Sequence, residues 1–134
     1  MSFSEIVDLL IKGIPAKYDH IDFVPPQGVR DSAKRGLELR REHKRGGFST
    51  QQAGKHGIGS GVQRASNLQR GDRMSPSTVK RMHSFFSRHS AYKKYHDDKT
   101  SSAYISWMLW GGDEGQRWAQ KIVNQMKRAD EENK

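Results

Sequence analysis

The sequence contains no cysteine, so neither a disulfide framework nor a thiolate metal site is open to it. Apolar residues are scarce as well. Only 33% of the 134 residues are hydrophobic, which predicts a small core and a large share of polar or irregular chain. No apolar run approaches the roughly 18 residues of a membrane span, so no membrane partner is expected. Residues 3–11 carry Glu5 and Asp8 and lack a basic leader or a small-residue cleavage site, so they are not read as a signal peptide. A cytosolic setting is the simplest expectation.

Catalytic signatures are missing too. Histidines stand at 20, 43, 56, 83, 89 and 96, yet they form no H-E-x-x-H, no pair at i and i+4, and no Ser/His/Asp order around a nucleophile elbow. His89, His96, Asp97 and Asp98 are close in sequence, as many surface clusters are, without a ligand spacing that argues for a metal. No enzyme, no metal and no cofactor are expected.

Acid is what the middle of the chain lacks. Residues 28–99 hold 17 Lys and Arg against 6 Asp and Glu, whereas residues 1–27 hold 2 against 4 and residues 100–134 hold 5 against 5. The formal net charge of +9 therefore belongs to the centre. A concentrated positive field attracts polyanions and speeds encounter with them, and a solvated, solubilising surface is the plainer alternative.

The best punctuated stretch is 60–89. Ser60 and Gln63 have the spacing of a capping box, Gly71 sits where a left-handed C-terminal residue is wanted, and Ser75-Pro76 reads as N-cap and first helical position. Val62, Ala65 and Leu68 predict the inner face of a first helix, and Val79, Met82, Phe85 and Phe86 that of a second. Were the pair a helix-turn-helix, Ser77, Thr78, Lys80 and Arg81 would approach base edges. The connector 71–75 is longer than the usual turn of that motif, and two antiparallel helices of an ordinary bundle would carry the same caps.

Elsewhere the chain reads as follows. Phe3, Ile6, Val7 and Leu10 predict a short amphipathic helix over 2–11, ended by Gly13 and Pro15. Residues 16–27, with Ile21 alternating with Phe23 before Pro25-Pro26, read as extended linker or an edge strand. Val29, Ala33, Gly36 and Leu37 predict the inner face of a helix over 29–44. On its wheel Arg30, Lys34, Arg41 and Arg45 fall within about 60°, a stripe that Glu38 and Glu42 partly neutralise. It suits either a phosphate-contacting helix or a solvated face. Residues 45–60 are glycine-rich and cannot form a regular helix. Gly57-Ile58-Gly59-Ser60-Gly61 lacks the order of a phosphate-cradling loop.

In residues 90–100, Tyr92 and Tyr95 are interleaved with Lys93 and Lys94, a pattern that serves either base stacking or the covering of a core. Residues 102–110 predict a short apolar helix. Residues 113–128 predict a longer one, with Trp118, Ala119, Ile122, Val123 and Met126 inside, Asp113 as its cap, and Lys127 and Arg128 at its C-terminal dipole. The corner Trp110-Gly111-Gly112-Asp113 joins them. Trp107, Trp110 and Trp118 read as core anchors, or alternatively as an aromatic patch for a partner. Residues 129–134 read as a frayed polar tail.

The fold class expected is all-α: a compact bundle of about five helices with a glycine-rich loop and an irregular N-terminal linker. Its divisions are an N-terminal helix and linker over 1–27, a basic helical domain over 28–128, and the tail.

Two strings carry a resemblance. Arg81-Met-His-Ser-Phe-Phe-Ser-Arg-His89, preceded by Ser75-x-x-Thr78-Val79, and Ile105-x-Trp107-x-Leu109-Trp110-Gly111-Gly112-Asp113-x-Gly115-x-x-Trp118-Ala119 resemble a small uncharacterised domain of bacteriophage-encoded proteins. With the helix near Val29 and the Arg45-Gly46-Gly47 run, the similarity spans roughly residues 24–124. It implies a phage origin, hence a host cytoplasm or a virion, and carries no biochemical role. The function expected from the charge pattern is nucleic-acid binding, DNA foremost, through phosphate contacts. The residues expected to make them are Arg30, Lys34, Arg41, Arg45, Arg64, Arg70, Arg73, Lys80, Arg81, Arg88, Lys93 and Lys94. The alternative is a virion-associated or host-directed module whose basic face meets an acidic protein.

Overall fold

The computed structural model describes residues 14–46 and 61–133. The expected helix over 2–11, the glycine-rich stretch from 47 onward and the Ser60 cap lie outside the described residues. The rest is an all-α bundle of five helices: α1 (Gln27–His43), α2 (Gly61–Arg70), α3 (Pro76–His89), α4 (Ser102–Leu109) and α5 (Gly112–Glu132). Two 3-10 turns, Ala16–Tyr18 and Ser90–Tyr95, precede α1 and follow α3. Among the described residues no helix is long and apolar enough to cross a membrane.

The short helix α4 is the hub. It is apolar nearly all round, and a helix with no polar face has to be enclosed. It accordingly touches all four other helices, and Ile105, Trp107 and Leu109 are buried. Ser101 starts it, its hydroxyl accepting from the Tyr104 N–H at 3.1 Å. Helix α1 crosses α4 at Gly36, where an added Cβ would stand 2.6 Å from the Leu109 backbone nitrogen. Glycine thus lets two backbones meet. The inner face of α1 is Val29, Ala33, Gly36 and Leu39, with Leu37 only half-buried at its margin.

The punctuation around α3 is as expected. Ser75 accepts from the Thr78 N–H at 3.1 Å, and Gly71 has φ of +76°. Val79, Met82, Phe85 and Phe86 are buried.

Four other expectations are corrected. Helix α1 stops at His43, because Lys44 adopts a left-handed conformation and donates to the Arg40 carbonyl, so Arg45 leaves the basic stripe. Asp113 is not the cap of α5. Gly111 holds that position with φ of +113°, followed by Gly112 at +65°, and these two left-handed residues make the corner tight enough that Asp113 lies inside the first turn. The tail is helical through Glu132, with Ala129 buried, so Lys127 and Arg128 are not at the C-terminal end.

The segment before α1 is neither strand nor free linker. Ile14, Tyr18, Ile21 and Phe23 join the common core, and a single backbone bond, Met74 N–H to the Phe23 carbonyl at 3.0 Å, replaces a ladder. Tyr18 donates to the Asp130 carboxylate at 2.6 Å. Burial, the hydrogen bond and the charge of Asp130 push the Tyr18 hydroxyl pKa up to about 12.

Candidate nucleic-acid interface

Helices α2 and α3 do not pack as a helix-turn-helix. No Cα of one comes within 8 Å of the other: α2 rests on α1 and α4, and α3 on α5 and α4. Two of the four expected base readers are also occupied. The Ser75 hydroxyl donates to Thr78 Oγ1 at 2.8 Å and stands 3.1 Å from Ser77 Oγ, so both hydroxyls belong to the cap network. The connector 71–75 is instead pinned by the core, since Met74 is buried. A longer link was the sequence sign of this divergence.

The twelve expected phosphate-binding residues separate once their partners are known. Arg70 is neutralised by Asp72 at 2.8 Å, and that carboxyl is held below its usual range chiefly by the Arg70 and Asn67 hydrogen bonds. Lys93 pairs with Asp113 at 3.2 Å and lies 5.1 Å from the Trp107 ring centroid. Arg30 is drawn to the Gln69 carbonyl at the end of α2. Arg45 lies in the field of Asp98, Lys80 in that of Asp130, and Arg73 borders a small cleft with Asp19 and Asp22. Lys34 and Arg41 stay exposed on α1, because Glu38 and Glu42 pair with Arg35 and leave the stripe uncompensated.

Arg64, Arg81, Arg88 and Lys94 form no ion pair among the described residues. Arg64 is the unusual one. Its guanidinium lies 6.0 Å from the Trp110 ring centroid, and its Nε is buried with no hydrogen-bond partner. Burial first, and the charge of nearby Arg81 second, lower its pKa below the ordinary arginine value. A half-buried cation that makes no ion pair among the described residues is costly in the free protein, and an incoming anion relieves that cost. Seven residues separate Arg81 from Arg88, so they share one side of α3.

Rings continue from this point along α3. Trp110 stacks on Phe85 with centroids 4.6 Å apart and planes 10° from parallel, and Phe85 stacks on His89 at 4.3 Å. Next come Tyr92, 5.7 Å from His89, and Tyr95, 6.5 Å from Tyr92. Phe85 is buried, Trp110 and His89 are half-buried, and the last rings are open: Tyr92 is 49% exposed and Tyr95 53%. The change from α to 3-10 winding at Ser90 aligns the tyrosines, because three residues per turn place i and i+3 one above the other. Burial, reinforced by Arg88, depresses the His89 pKa and so favours the neutral form of the stacked imidazole.

Trp110 and His89 are the members of this arrangement that their sequence positions did not announce. Phe85, His89, Tyr92 and Tyr95 follow one another at i, i+4, i+7 and i+10, and that aromatic register was the available signal. No family model, no curated protein and no solved structure matches the chain.

Proposed function

We propose that this protein binds nucleic acid, chiefly through phosphate contacts made by Arg64, Arg81, Arg88 and Lys94. The supporting observation is Arg64, half-buried against Trp110 with its Nε unpartnered among the described residues and in the field of Arg81. One guanidinium is half-buried against Trp110 and the other repels it, so a phosphate oxygen is the counter-charge this site lacks. The exposed stripe of Lys34 and Arg41 on α1 adds longer-range attraction. A bacteriophage origin, with a host cytoplasm or virion as its setting, belongs to the same reading.

The test is a titration of labelled oligonucleotide at two salt concentrations. With about four phosphates neutralised, affinity should fall by about two orders of magnitude between roughly 50 and 200 mM salt. R81A should weaken binding and reduce the log-log slope by about 0.7 to 0.9, one contact's worth. Absence of binding at micromolar protein in the lower salt would overturn the proposal. So would nuclease-resistant co-purification with an acidic protein that occupies the same arginines.

A further inference from the structure

We infer that the nucleic acid recognised is single-stranded, with unpaired bases stacking on Tyr92 and Tyr95 while its phosphates follow Lys94, Arg88, Arg81 and Arg64. This inference rests on the phosphate-binding reading above and narrows it to a substrate class. The exposed rings, rather than the charges, carry it.

A duplex hides the faces of its bases and offers only their edges, in the grooves. Reading edges requires an element shaped to enter a groove. Here α2 and α3 do not form such a pair, and the Ser77 and Thr78 hydroxyls are engaged at the start of α3. An unpaired strand offers base faces instead, and an aromatic ring exposed beside a cation is their complement. Tyr92 and Tyr95 have that form. They are roughly half exposed, their planes lie 26° from parallel, and a two-turn 3-10 segment sets them in line. Lys94 Nζ lies over the Tyr95 ring, 5.3 Å from its centroid, so a group that meets phosphate sits at a ring whose face a base can take once the flexible lysine turns toward the phosphate.

The rings are also braced from behind. Tyr92 leans on His89, which is stacked on Phe85, which is stacked on Trp110. The platform thus runs from solvent into the core, and its buried end is where Arg64 sits. A strand laid along it meets ring faces at one end and the Arg64 guanidinium at the other. Stacking of this kind accepts any base, so binding is expected to be tolerant of sequence.

The experiment uses the full chain and fluorescence anisotropy with a short oligothymidylate, an oligouridylate and a blunt duplex of equal length. The variants are Y92A/Y95A and Y92F/Y95F, with thermal melts to verify that both remain folded. At least one single strand should bind about tenfold or more tighter than the duplex, and comparison of the two shows whether DNA or RNA is preferred. Y92A/Y95A should lose about tenfold to a hundredfold on the single strand and little on the duplex, whereas Y92F/Y95F, which keeps both rings, should bind within about twofold of the parent. Unchanged single-strand affinity in Y92A/Y95A, or a duplex bound as tightly as both single strands, would overturn this inference and leave the phosphate-binding reading standing. Failure of all three oligonucleotides to bind would overturn both.

Discussion

Trp107 and Trp110 lie one helical turn apart, yet the charges gathered around them have opposite fates. At Trp107 the cation and the indole N–H share one carboxylate. The indole N–H donates to Asp113 at 2.8 Å, Lys93 meets the same carboxylate oxygen, and His96 packs edge-on at 5.3 Å. A cleft of about 350 Å³ opens there, but the cation and the carboxylate on its wall are already joined. At Trp110 the cation makes no ion pair among the described residues and lies in the field of another arginine, Arg81. Positive charge available for a ligand is what remains after internal pairing, and a count of Lys and Arg does not measure it.

The largest expected effect strikes both ends together. Gly36 lies against the backbone of α4, which carries Trp107 and is followed directly by Trp110, so G36A should destabilise the protein by about 2 to 3 kcal/mol in denaturant titrations. A loss below about 0.5 kcal/mol would mean that the helices separate easily at this crossing.

Next come two substitutions that set the ends against each other. D113A removes the acceptor of the Trp107 indole and the partner of Lys93, and should cost about 2 kcal/mol in stability while leaving oligonucleotide affinity within about twofold. R64L should do the reverse. It removes a poorly solvated guanidinium at the expense of one cation–π contact, so stability should change by less than about 1 kcal/mol while binding weakens severalfold. A loss of stability with R64L as large as that with D113A would erase the distinction between the ends.

The smallest effect is a titration. His89 at the Trp110 end and His96 at the Trp107 end are both depressed by burial, but only His96 has a carboxylate, Asp113, opposing the shift. Followed by NMR, both imidazoles should titrate below the ordinary histidine value of about 6.5, and D113N should lower His96 further while leaving His89 in place. The folded state holds these groups neutral. The unfolded chain therefore takes up protons first as pH falls below about 6.5, and stability contributed by the neutral imidazoles declines from there downward. Stability that rose on acidification through that range would contradict their burial.

Much of the architecture was legible because it is written locally. Ser75 with Pro76, Gly71, and the period of Trp118, Ala119, Ile122, Val123 and Met126 each act within a few residues, and each appears as the sequence implies. What depends on distant chain was not legible. Asp113 has the form of a cap, but two left-handed glycines shift the helix start and Trp107 claims the carboxylate. The burial of Arg64 is set by Trp110, 46 positions onward, and no local pattern encodes it. The candidate site divided in the same way. Charge density was plain in the sequence, whereas the pairing that removes Arg70 and Lys93 from it depends on where Asp72 and Asp113 are placed.

The bond from Tyr18 to Asp130 spans 112 residues of chain. Closing so long a loop costs on the order of 4 kcal/mol in chain entropy, a cost met only after the helices between have assembled. The first described turn is therefore expected to act as a clasp that docks late and releases early. In hydrogen exchange its signature is early loss of protection at the Ile21 and Met74 amides, which bond to the Tyr18 and Phe23 carbonyls, ahead of the interior of α5.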